Sequence, residues 1–196
     1  MHQDGLSPNE ESLDKEPSDA EAPATGNPNR ELLDTVRAAL RERTDPLRAT
    51  ALELWRRSTV REERYAAIDL TSLRVVARDQ LVLPVYEEII RTGAWWDFVD
   101  GVSHRIFGLH QAHRPMMTEL LLAWSTDQDF WIRRSAITSQ LKAKARTDQD
   151  LLRAVIEPNL ADPEFFIRKA IGWTLREYAK TDPDWVRNFV VERARS

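Results

Sequence analysis

DFWIRRSAI at 129–137 and EFFIRKAIG at 164–172 carry the same pattern 35 residues apart: an acid, two aromatics, an isoleucine, two bases and a small or apolar run. A weaker echo, ERYAAIDL at 63–70, precedes both. On this grid Tyr65, Asp100, Arg134 and Lys169 hold equivalent positions, with steps of 35, 34 and 35. A recurrence in the mid-thirties is the length of a helix pair, and helix pairs repeated at that interval bury their apolar faces on one another. The period therefore predicts an all-α fold, a HEAT-like α-solenoid of paired antiparallel helices whose equivalent members line a concave groove. Residues far apart in sequence would meet on that wall.

The intervening chain agrees. Apolar residues at helical spacing predict helices over 47–57, 61–78, 81–91, 94–107, 114–125, 129–144, 148–160, 163–180 and 184–193. A further helix through Leu33, Val36 and Leu40 precedes them, with TDP at 44–46 as its breaker. No convincing run of alternating β-branched residues appears.

Composition narrows the function. The net charge is -4, but it is unevenly divided. Residues 1–29 hold seven acids and one base, a net of -6, leaving 25 acids and 27 bases on residues 30–196, a net of +2. The first segment has almost no large apolar residues and is expected to be a disordered acidic tail, followed by a helical repeat domain over 30–196. A mildly basic domain permits nucleic-acid binding without requiring it. The absence of cysteine excludes disulfides and thiolate metal sites. Neither a signal-peptide pattern nor an apolar run long enough to span a bilayer is visible, so a cytoplasmic, nucleoid-associated protein without membrane contact is expected.

Two stretches stand apart from simple packing. In WWDFVDGVSHRIFG (95–108), Trp95, Val99, Val102 and Ile106 fall on one helical stripe. Trp96 lies off it, with Asp100 one turn further along on the same side. In EFFIRKAIGWTLREYAK (164–180), Ile167, Ile171, Leu175 and Tyr178 form the packing stripe, while Lys169, Trp173 and Arg176 run along the opposite side. An indole between two bases suits a phosphate-lined partner, the bases meeting charge and the ring offering a flat polarizable face. The spacing alone leaves both tryptophans open to a blander reading, as half-buried packing residues beside a solvated face. His104, His110 and His113 are the one hint of a metal cluster. With no cysteine and no suitable acids beside them, a solvated helix and loop is expected.

WWDFVD, DFWIRRSAI and FFIRKAIGWTLREYAKTDP, in this order and spacing, resemble the DNA alkylation repair enzymes of the AlkD-like family over about residues 47–191. These are HEAT-like-repeat DNA glycosylases that remove cationic 3- and 7-alkylated purines. The resemblance implies that Trp96 and Trp173 face the deoxyribose of the lesion, that Asp100 is the catalytic carboxylate, and that Arg134 clamps DNA beside it. Tyr65, Lys169 and Arg176 are candidates for the same groove. An N3- or N7-alkylated purine already carries positive charge, so its glycosidic bond breaks without protonation of the base. The sugar becomes cationic in the transition state, which a carboxylate near C1′ can stabilise. The expected enzyme is thus monofunctional, without lyase activity, metal or cofactor, and acts as a monomer on double-stranded DNA containing alkylated purines. Two departures stand against this. The family's aromatic-rich helical N-terminal region is poorly matched, and the chain closes at ERARS where family members usually continue into a basic helix. The rival readings are a non-catalytic module binding damaged or branched DNA and a protein-binding solenoid.

Overall fold

The structure is a computed structural model, and it describes residues 44–194. The acidic tail and the helix through Leu33, Val36 and Leu40 lie outside the described residues. Those described form nine α-helices and no strand: α1 (Thr44–Arg57), α2 (Arg61–Leu70), α3 (Leu83–Gly93), α4 (Trp96–Ala112), α5 (Arg114–Trp124), α6 (Phe130–Thr138), α7 (Gln149–Ile156), α8 (Phe165–Tyr178) and α9 (Pro183–Ala194). TDP opens α1, because a proline in the first turn forfeits no hydrogen bond.

The helices stack in two rows. In one, α2 packs on α4, α4 on α6 and α6 on α8. In the other, α1 packs on α3 and α5 on α7. A single core runs through the stack from Leu47 to Phe189 and includes Tyr86, Ile106, Leu121, Ile132 and Ile167. This is the solenoid-like arrangement that the period predicts. The four grid positions Tyr65, Asp100, Arg134 and Lys169 fall on α2, α4, α6 and α8, the four helices of one row. Among the described residues no helix is long and apolar enough to cross a membrane.

The repeat has a local cause. The loops TDQDF (126–130) and ADPEF (161–165) fold identically. Asp127 and Asp162 each accept the N–H of the residue two further on, both at 2.8 Å. Asp129 and Glu164 then cap the next helix by accepting from Trp131 and Phe166, at 2.9 and 3.2 Å. An arginine from the repeat before reaches each turn: Arg91 of α3 bonds Asp127 and Arg133 of α6 bonds Asp162, both at 2.7 Å. These bonds hold both aspartate carboxyls below their ordinary range. At Asp127 the Arg91 bond dominates; at Asp162 the backbone N–H of Glu164 does.

Two predicted helices end early, at Leu70 instead of 78 and at Thr138 instead of 144. Neither end carries a glycine or proline. Hydroxyls take up the last carbonyls instead: Thr71 and Ser72 donate to Ile68 and Asp69, and Ser139 donates to Ala136. Helix α4 also begins one residue later than its apolar stripe requires. Trp95 is extended (φ −149°, ψ 136°) and 44% exposed, so it is not part of the stripe. Phe98 takes up that side of the helix, with Val99, Val102, Ile106 and Leu109 fully buried behind it.

Candidate functional site

Trp96 is the first residue of α4, and 45% of its surface is exposed. It lines a cavity of about 470 Å³ with Arg134 of α6 and with Phe166, Lys169, Gly172, Trp173 and Arg176 of α8. Three helices of one row thus bring together two indoles, three cations and a glycine from residues 77 positions apart, Trp96 to Trp173. The i, i+4, i+7 spacing of Lys169, Trp173 and Arg176 does place all three on one face. Ile167 is buried on the other side, with Ala170, Thr174 and Tyr178 continuing the packing face and Ile171 and Leu175 on its flank.

Beneath the cavity lies a buried ion pair. Arg134 is only 2% exposed and Asp100 only 6%. The guanidinium meets the carboxylate with both oxygens engaged, Nε to Oδ1 at 2.9 Å and Nη2 to Oδ2 at 2.7 Å, and its Nη1 donates to the carbonyl of Phe166 at 2.8 Å. A buried pair with bidentate geometry is one of the few that survives desolvation. It also ties α4, α6 and α8 at one point. Of the adjacent arginines, Arg134 is the one beside Asp100, while Arg133 braces Asp162 in the next loop.

This placement corrects two expectations. Asp100 does not stand on the wall; it is recessed and does not line the cavity. Arg134 is no free clamp reaching into solvent, because three of its five N–H donors are spent on Asp100 and Phe166. Tyr65 also lies apart from the cavity. Its hydroxyl donates to Asp97 at 2.5 Å and accepts from Arg61 at 2.8 Å, and its ring packs on Phe98. The bond to Asp97 raises the phenol above its ordinary range. Grid equivalence fixes where a residue sits on a helix, not what it meets there.

Three residues at or beside the site have no part in the DNA groove expected from the sequence. Phe166 is a hub, its ring 4.9 Å from Trp131, 5.3 Å from Phe165 and 6.4 Å from Trp95. Gly172 lines the cavity from within α8, and a Cβ built there would meet nothing within 4 Å. A glycine inside a helical pattern is itself a signal, since it costs helix stability and needs a reason. His104, one turn beyond Asp100, sets its ring edge-on to Trp173 with centroids 6.2 Å apart. Its Nε2 is buried without a hydrogen bond. Burial, then Lys142, holds this imidazole below its ordinary range against an opposing pull from Asp100.

One histidine departs clearly from the expected solvated state: His110 is fully buried, with Nε2 at 3.3 Å from the Thr118 hydroxyl, whereas half-buried His113 meets the carbonyl of Arg78 at 2.8 Å. Among the described residues no group of three or more acids and histidines gathers as metal ligands would.

Residues 19–196 match the family described as DNA alkylation repair enzyme. A solved structure, a predicted DNA alkylation repair enzyme from Enterococcus faecalis, is 32% identical and superposes with a TM-score of 0.72, covering 84% of this chain and 75% of that one. The structure of smu.31 from Streptococcus mutans UA159 is 16% identical, with a TM-score of 0.66 and 82% of each chain covered, a likeness of fold alone. No curated protein matches the chain.

Proposed function

The chain belongs to the DNA alkylation repair enzyme family, and on that premise we propose that it is a monofunctional DNA glycosylase that hydrolyses the glycosidic bond of N3- and N7-alkylated purines. The observation that carries this reading is the cavity itself: two indoles and three cations gathered above a fixed carboxylate. Lys169 and Arg176 meet the phosphates flanking the lesion. Trp96 and Trp173 lie against the deoxyribose, where their faces favour the cationic sugar and exclude bulk water. The base leaves as a neutral alkylpurine, so no proton has to be delivered to it. Water then adds to the sugar carbon and loses one proton, leaving an abasic site.

Asp100 acts through its charge and its fixed orientation. Each carboxylate oxygen keeps lone-pair capacity beyond its bond to Arg134, so the pair can orient a water while its negative end offsets the sugar's charge. The two N–H donors that Arg134 has to spare are free for a phosphate oxygen, which would let one guanidinium hold carboxylate and backbone together. In this reading Arg134 is a positioning residue for Asp100 as well as a contact to DNA. The active species is a monomer acting on double-stranded DNA, with the folded domain over 30–196 and an acidic tail over 1–29.

One observation favours the rival. A carboxylate 6% exposed and matched by an arginine is also what a purely structural pair would look like, and a non-catalytic module binding damaged or branched DNA would use the same wall. Release of 7-methylguanine from a duplex under single-turnover conditions separates them. Wild type should release the base, and Asp100→Asn should lose about a hundredfold to a thousandfold in rate while still binding DNA. Wild type that binds duplex at low salt but releases none of several alkylpurines would leave the binding module as the reading. Absence of both would point to a protein-binding solenoid.

A further inference from the structure

A second and larger cavity, about 620 Å³, opens at the C-terminal ends of α6 and α8. Lys142, Lys144 and Lys180 line it, with the hydroxyl residues Thr147 and Thr181 and one acid, Glu177. Lys180 pairs with Glu177 at 2.6 Å. Among the described residues Lys142 and Lys144 form no ion pair, so two uncompensated cations face this space.

Its location is not independent of the first cavity. Lys169, Trp173 and Arg176 follow i, i+4 and i+7 along α8, and Lys180 stands two residues past its end. From Lys169 to Arg176, at 1.5 Å per residue, the stripe spans about 10 Å, enough to meet more than one phosphate along a DNA strand. These three line one cavity and Lys180 lines the other.

The loop that carries Lys142 and Lys144 is built rather than loose. Gln140 grips Asp148 across its base, Nε2 donating to the carbonyl at 3.0 Å and Oε1 accepting the N–H at 2.7 Å. Ala143 is buried between the two lysines. Lys144 has φ 54°, the left-handed region that glycine enters freely and a lysine does not. The Lys144 side chain is exposed and forms no ion pair among the described residues. Strain of this kind persists where it serves a site.

We propose that this second cavity binds the sugar–phosphate backbone of a DNA strand, one to a few nucleotides from the position between the tryptophans. The inference rests on the first cavity being a DNA site, but not on its being catalytic. Lys142 and Lys144 each neutralise one phosphate there. Lys180, already shared with Glu177, joins the two cavities.

Binding of a fluorescent duplex over a range of salt concentrations tests this with the full-length protein. Lys142→Gln and Lys144→Gly should each reduce the slope of log affinity against log salt by about one, and together by about two. Damaged and undamaged duplexes should weaken by the same factor, and the base-release rate at saturating duplex should stay at the wild-type value. Lys144→Gly should also melt at a higher temperature than wild type, because it relieves the left-handed lysine; a loss of binding in a more stable protein is not a folding defect. An unchanged salt slope in the double variant overturns the proposal, as does a loss confined to damaged duplex. A wild type that binds duplex but releases no base would remove the glycosylase reading and leave this result standing on the slope alone. A wild type that does not bind duplex would remove both.

Discussion

Arg134 and Gly172 show how differently single residues can serve one cavity. Removing the arginine's charge strands Asp100 in the interior, so Arg134→Met should cost about 3–5 kcal/mol in urea unfolding. Asp100→Leu combined with Arg134→Met should recover most of that stability, since no charge is then left buried, yet release no base. Recovery of activity by the double variant would exclude Asp100 from the chemistry. Gly172 behaves in the opposite sense. Gly172→Ala should stabilise α8 by about 0.5–1 kcal/mol, because the new methyl meets nothing in the protein. The same methyl narrows the approach to Trp173, so base release should fall by about tenfold to a hundredfold. A more stable variant with unchanged release would mean that no ligand comes close to that backbone. The sequence pointed to Trp96, Trp173, Lys169 and Arg176 because each falls off a packing stripe. It misled at Trp95 and Tyr65 for separate reasons. A helical wheel says nothing about a residue one position before its helix, and the Tyr65 phenol is taken by Asp97 and Arg61.

At the scale of the element, helix starts were more legible than helix ends. Starts are marked by Asp129, Asp148 and Glu164, side chains that accept from the first turn and announce themselves in the sequence. Ends here rely on serine and threonine hydroxyls bonding backward to carbonyls, and those residues also occur within helices, as Ser103 does. The same elements set the response to acid. His110 of α4 is fully buried against α5; burial and then Arg114 keep its imidazole below the ordinary range, with Asp148 opposing. His104 is depressed likewise. The folded state therefore takes up protons less readily than the unfolded chain, and stability should begin to fall as pH drops through about 6.5, the unfolded value. A second loss should follow below about 4, as Asp127 and Asp162 are protonated through their lowered folded values. Urea midpoints measured from pH 8 to 3 should show both steps, and His110→Gln should weaken the first alone. A single step confined to the carboxylate range would show that neither histidine senses its burial.

Across the whole molecule, the interval of about 35 residues that revealed the fold reappears in the bonds between helices. Arg91 to Asp127, Arg105 to Asp69, Arg114 to Asp148, Arg134 to Asp100 and Asn159 to the carbonyl of Ser125 all join residues 34 to 36 apart. Each bond fastens one repeat to the next, and almost none reaches further. Buried Asn159 serves two carbonyls at once, since its amide also donates to that of Val155 at 3.0 Å. Asn159→Leu should cost about 1–3 kcal/mol in thermal or urea unfolding through two abandoned carbonyls. The charge division has a simpler consequence. Deleting residues 1–29 removes a net charge of -6, which should raise duplex affinity at low salt and leave it unchanged at high salt.

The pair beneath the cavity sets a different unit from the one that holds the stack. Any two neighbouring repeats can satisfy each other's turns and caps, so the increment of folding is about 35 residues. Asp100, Arg134 and Trp173 come from three successive repeats, and no shorter piece contains them all. A chain could therefore lose or gain a repeat near either end and still stack, whereas one removed between α4 and α8 would leave a sound scaffold with nothing to do. Evolution can lengthen such a molecule cheaply, but it cannot shorten the middle.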